Sequence, residues 1–94
     1  MFYVYIIYSK IIDKYYVGVT TNVIQRVEAH NSKLFDKAYT KITDDWVLYL
    51  SISCNSKRQA LLIERHIKNM KSRTYIENLK RHAEISMKLI EKYS

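Results

Sequence analysis

The chain has 94 residues, 48% apolar and 27% charged, with a net charge of +7, one cysteine, one glycine and no proline. That apolar share supports one small packed core and excludes disorder, and a lone cysteine excludes an internal disulfide framework and fits a reducing compartment. No stretch approaches the ~18 apolar residues that span a bilayer, and the start has no basic lead with a cleavage site, so an intracellular protein with no secretion signal is expected.

In chain order, Phe2 to Tyr8 alternates Phe2, Val4 and Ile6 against Tyr3, Tyr5 and Ile7, with β-branched and aromatic residues throughout, which predicts a strand. Ser9 to Lys14 is a short polar connection, and Tyr15 to Val19 is a second strand, close enough to pair as a hairpin. Gly18 inside it marks a bend or a backbone that something must approach closely. Thr20, Thr21 and Asn22 supply N-cap chemistry for a helix to about Asn31, with Val23, Ile24 and Val27 as its apolar side. Residues 32–45 are polar, and Asp44-Asp45 marks a turn. Trp46 to Ser53 is a third strand. Ser56-x-x-Gln59 is a capping box for a helix to about Met70, with Ala60, Ile63, Ile67 and Met70 on one stripe. Thr74-x-x-Glu77 is read as a second capping box, opening one last helix through Ile76, Leu79, Ala83, Met87 and Ile90 toward Tyr93. The expectation is one α+β domain over residues 1–94, in the order β-β-α-β-α-α, around a three-stranded antiparallel sheet.

Six of the seven net positive charges fall in residues 57–82, where Lys57, Arg58, Arg65, Lys68, Lys71, Arg73, Lys80 and Arg81 face only Glu64 and Glu77. Such a stretch suits a polyanion, with nucleic acid ahead of a membrane surface because no strongly amphipathic Trp- or Phe-bearing helix is evident. A single glycine excludes the Gly-rich nucleotide loops, and His30, His66, His82 and Cys54 are too scattered for a zinc site.

Within these elements, Arg26 and His30 are i and i+4 and share one helix face off the apolar side, where a guanidinium would match two phosphate oxygens. The plainer alternative is a solvent-facing pair. Glu64 borders the apolar stripe of its helix and is the only acid between Asp45 and Glu77. It either pairs with Arg65 or Lys68 or holds a divalent cation, since Mg²⁺ keeps most of its waters and takes one or two carboxylates. The strand phenols either pack or carry protons, the latter when cations lower their pKa. Cys54 reads as a small hydrophobe in a strand.

These residues together resemble the GIY-YIG nuclease superfamily, particularly its short stand-alone members, which are similar to the N-terminal domain of the bacterial-type repair excinuclease. Tyr3-Val4-Tyr5 stands where the family has G-I-Y, and Tyr16-Val17-Gly18 where it has Y-I-G. Gly18-Val19-Thr20-Thr21-Asn22 leads into Arg26-x-x-x-His30-Asn31, which resembles the arginine helix. Tyr39-Thr40-Lys41 resembles the short members' tyrosine-threonine-basic signature, and Glu64-x-x-Ile67-Lys68 with Ser72-Arg73 is similar to their metal-ligand helix. Tyr3 replaces the motif's first glycine, and the larger members' late asparagine has only Asn69 and Asn78 as loose counterparts.

The resemblance implies metal-dependent hydrolysis of DNA phosphodiesters, structure-selective or weakly sequence-specific. It implies catalytic Tyr5, Tyr16, Arg26 and His30 with Lys41 assisting, and one Mg²⁺ or Mn²⁺ on Glu64. Lys57, Arg58, Arg65, Lys68, Lys71 and Arg73 would follow the phosphate backbone, with RNA left open as an alternative polyanion. So small a domain has little room to read bases, so a targeting subunit or self-association is expected. Roles in DNA repair or recombination follow from the family, and a location in the cytoplasm, nucleoid or nucleus follows the DNA. Two other readings stand beside it. One is a catalytically silent nucleic-acid-binding module of the same fold. The other is an aromatic RNA-recognition sheet, which wants glycines and a second ββ unit that this chain lacks.

Overall fold

A computed structural model describes residues 1–32 and 42–94. The described elements are β1 (Phe2–Ser9), β2 (Lys14–Thr20), α1 (Val23–Asn31), β3 (Val47–Cys54), α2 (Lys57–Met70), α3 (Arg73–Arg81) and α4 (Ala83–Lys92). The sheet is three-stranded and antiparallel, in the order β2-β1-β3. This is the expected α+β class.

β1 is central, and its run Val4, Tyr5, Ile6, Ile7 is buried on both faces of the sheet. On one face Val4 and Ile6 join Val17, Ile52, Cys54 and the helical residues Ala60, Ile63, Ile67, Leu79 and Leu89. On the other, Tyr5 and Ile7 pack with Trp46, flanked by Tyr16, Val23 and Val27. Each fully buried Ile or Leu contributes about 1.5–3 kcal/mol to such layers. Cys54 is part of the first cluster, and burial pushes its thiol pKa up, so it packs as a hydrophobe.

The caps show where local chemistry sets the ends. Asn22 and Ser56 accept from the amides of Gln25 and Gln59 at the starts of α1 and α2. The third cap departs from expectation: Ser72, not Thr74, accepts from Tyr75 N and opens α3. The last segment is also two helices, because His82 is extended between α3 and α4. No glycine or proline announces that break. In one continuous helix Leu79 and Leu89 would sit about 80° apart around the axis, whereas the break lets both enter one core cluster. The stripes need adjustment too, since Ile24, Met70 and Met87 are exposed, Ile24 at 73%.

With one glycine available, the two left-handed backbone positions among the described residues fall to Asp13 (φ 53) in the β1–β2 turn and Lys71 (φ 48) after α2. Two polar clamps fix the approach to β3. Asn31 exchanges hydrogen bonds with the backbone of Trp46, donating to its oxygen at 2.8 Å and accepting from its nitrogen at 2.7 Å. Asp45 accepts from Ser9 Oγ, Thr43 Oγ1 and Ile11 N, and these bonds hold its carboxyl down at about 2.

Candidate active site

The second face of the sheet collects the chemistry. Tyr5 on β1 and Tyr16 on β2 project toward α1, which delivers Arg26 and His30 one turn apart. Tyr5 Oη lies 2.7 Å from His30 Nε2. The rings of Tyr5 and Tyr16 are 6.3 Å apart between centroids, and each lies against His30, at 5.8 Å and 5.1 Å. The Arg26 guanidinium is near enough for its positive charge to act on the Tyr5 phenol.

Gly18 makes this arrangement possible. It is the partner of Tyr5 in the β1–β2 ladder, and the phenol ring lies across its Cα, where any Cβ would collide. Of the two sequence readings of this glycine, close approach is the one realised, and what approaches is the Tyr5 ring.

Burial sets the protonation states. His30 is 2% exposed, and desolvation, aided by Arg26, lowers its pKa to about 4. It is therefore neutral at pH 7. The plain alternative of a solvent-facing Arg/His pair does not hold, since His30 is buried and Arg26 half-buried. Tyr5 also departs from expectation. Arg26 does favour its ionised form, but burial, then Tyr16 and Glu64, raise its pKa well above the ordinary phenol value. Tyr5 keeps its proton. Tyr16 is the half-buried phenol of the pair.

Glu64 comes from α2, which packs beneath β1 and β2 on the opposite face, and its charge reaches Tyr5 past the β2 edge. Its carboxylate is 20% exposed and 3.3 Å from Lys68 Nζ, and that ammonium sits 5.9 Å from the Tyr16 ring centroid. Among the described residues no three His, Cys, Asp or Glu gather as a metal cage. A lone, partly exposed carboxylate suits only a hard cation that keeps most of its waters and shares the substrate's phosphate oxygens, as Mg²⁺ does. The donor chemistry fits that ion.

Tyr5, Tyr16, Arg26 and His30 are thus brought together, and Glu64 connects with them through Lys68, which pairs with it and lies near the Tyr16 ring. Lys41, with the Tyr39-Thr40-Lys41 signature, lies outside the described residues. The basic stretch does not form one track. Lys57 and Arg58 are at the exposed start of α2, and Arg65 lines a separate cavity with His66 and Tyr93. Lys68 is paired with Glu64. Arg73 clamps Asp13, donating to Oδ1 at 2.8 Å, to Oδ2 at 3.0 Å and to the backbone oxygen at 2.8 Å, above the Tyr15 ring. Lys71 is exposed at the turn between α2 and α3. Tyr8 and Tyr15 stack with Tyr49 in a separate aromatic row, where burial and Tyr49 push Tyr15 up to about 12.

Three contributors escaped the sequence reading. Trp46 walls the site's face, Asn31 holds Trp46, and Asp13 takes up Arg73. Asn31 directly follows His30 in a helix with a polar exit, which was the available signal; nothing local marks Asp13 as the partner of Arg73, 60 residues away.

Comparison with protein-family models matches residues 1–80 to the GIY-YIG catalytic domain. Comparisons with curated proteins and with solved structures give no match.

Proposed function

With residues 1–80 matched, the chain belongs to the GIY-YIG family, a nuclease family whose substrate is nucleic acid, and we propose that it is a metal-dependent endonuclease that hydrolyses DNA phosphodiesters by structure rather than by base sequence. The observation that carries this reading is the convergence of Tyr5, Tyr16, Arg26 and His30 from three elements onto one patch, with Glu64 linked to it through Lys68 beside the Tyr16 ring.

The reaction is in-line attack of water on phosphorus: a P–O bond forms to the water oxygen, whose proton is released to solvent, the opposite P–O bond breaks, and the leaving alkoxide takes a proton from solvent. Glu64 would hold Mg²⁺ or Mn²⁺, and the ion would supply Lewis-acid stabilisation of the negative charge that develops. Arg26 faces the equatorial oxygens and stabilises the charge that develops there. The Tyr5 hydroxyl fixes the imidazole of His30, one turn along α1 from Arg26. Tyr5 is thus a positioning residue, too buried and too firmly protonated to meet water itself. Tyr16, half-buried beside neutral His30, is the phenol that orients the attacking water. His30, as buried as Tyr5 and holding its hydroxyl, sets a neutral imidazole against the Tyr16 ring and keeps that phenol in place. Lys41 assists from the segment between α1 and β3.

The test is nicking of supercoiled plasmid in Mg²⁺ or Mn²⁺ against an EDTA control, with duplex RNA in parallel. Metal-dependent nicking of DNA is expected. A folded protein that binds DNA and nicks it with neither metal would be a silent binding module instead.

A further inference from the structure

A basic cavity of about 350 Å³ opens beside the catalytic patch, between β2, the end of α2 and the start of α3. Its wall carries Lys14, Lys68, Lys71 and Arg73 around Tyr15 and Ser72. The one acid in the wall, Asp13, is already taken by the bidentate Arg73 clamp. Lys68 is engaged with Glu64, but among the described residues neither Lys14 nor Lys71 forms an ion pair. Two exposed lysines therefore line one concave wall together with the first turn of α3, whose dipole also favours an anion. Lys71 stands at a left-handed position after a helix, where glycine is the usual and less strained choice.

We infer that this cavity is a phosphate site that holds a backbone phosphate of the nucleic acid flanking the one to be cleaved. The identity of the ligand's carrier rests on the nuclease reading; the affinity for phosphate rests on the cavity alone. Lys68 joins the two sites, because it lines the cavity while its Nζ lies 3.3 Å from Glu64 and 5.9 Å from the Tyr16 ring centroid. A strand whose scissile phosphate sits at Arg26 and Glu64 then crosses the β2 edge and places a neighbouring phosphate between Lys14 and Lys71. The volume exceeds one phosphate and leaves room for the attached sugar. Lys14 enters the interface here, while Lys57, Arg58 and Arg65 lie outside the cavity wall.

The test is made in EDTA, by binding alone. Inorganic phosphate is titrated into ¹⁵N-labelled protein, with amide shifts expected at Lys14, Lys71, Ser72 and Arg73; no shifts there, or shifts spread over the surface, overturn the site. Duplex DNA affinity is then measured for Lys14→Met, Lys71→Met and, as an equal change of charge on α4, Lys88→Met. Lys71→Gly keeps the left-handed turn and guards against a folding artefact. The cavity variants lose affinity several-fold and each flatten the salt dependence by about one unit, whereas Lys88→Met matches wild type. Equal loss in all variants means bulk charge only, and phosphate binding without any effect on duplex affinity means a site for free phosphate compounds; either result overturns the inference. A protein that passes these tests yet never cuts DNA refutes the nuclease reading and leaves the phosphate site standing.

Discussion

A Cβ placed on Gly18 would lie 2.6 Å from the hydroxyl oxygen of Tyr5, its cross-strand partner. The ring cannot yield, because Tyr5 is 1% exposed and its hydroxyl is held by His30. Gly18→Ala should therefore cost about 1–3 kcal/mol through overpacking and displace the phenol from His30. Urea denaturation checks the first effect. A double-mutant cycle with Tyr5→Leu checks the cause, since the penalty should shrink once the phenol is gone. An undiminished penalty would place the strain elsewhere.

The two phenols should separate by phenotype. Tyr16→Phe removes the water-facing hydroxyl and should slow nicking about a hundredfold or more with stability near wild type. Tyr5→Phe removes a buried hydrogen bond, so it should lower stability by about 1 kcal/mol and impair cleavage through a misplaced His30. Paired nicking rates and denaturation curves test this, and the reverse pattern would exchange the two roles.

His30 should make stability depend on pH. Its pKa is lowered in the fold from 6.5 to about 4, so between those values the unfolded chain binds more protons than the native one. The stability contributed by neutral, buried His30 is complete above about pH 6.5 and is lost as pH falls toward 4, on the order of 3 kcal/mol. Asp45, held at about 2, acts only in a lower window. Denaturation from pH 7 to 4 should show the fall, and His30→Asn should flatten it.

Helix capping offers a test away from the site. Ser72→Ala removes the side chain that accepts from Tyr75 N and should cost about 1 kcal/mol, whereas exposed Thr74 tolerates Ala with a change of a few tenths. Equal costs would contradict the observed start of α3.

The sequence made the sheet and the first two helix starts legible because their signals are local: runs of β-branched and aromatic residues, and the caps at Asn22 and Ser56. Gly18 was half legible, since a lone glycine in a strand signals close approach but not by what. Charge was the weaker guide. Residues 57–82 carry the surplus, yet helical geometry sends Arg65 to another cavity and a contact across 60 residues takes Arg73 to Asp13. Burial of His30 was equally invisible, because it depends on Tyr5 arriving from 25 residues away. The break at His82 carries no local mark in the sequence, since neither glycine nor proline stands there.

On the mechanism proposed above, Glu64 supplies the carboxylate for a catalytic cation. The most direct measurement is plasmid nicking by Glu64→Gln in Mg²⁺ and in Mn²⁺, beside wild type, with circular dichroism and DNA affinity measured on the same samples. Gln keeps the volume and a hydrogen-bonding oxygen but not the charge a hard cation needs. The account predicts cleavage lost in both metals with fold and most DNA binding preserved. If Glu64 serves only its ion pair with Lys68, the cost is at most about 1 kcal/mol of stability. Near-normal nicking by the folded Glu64→Gln protein would contradict the assignment and the mechanism built on it.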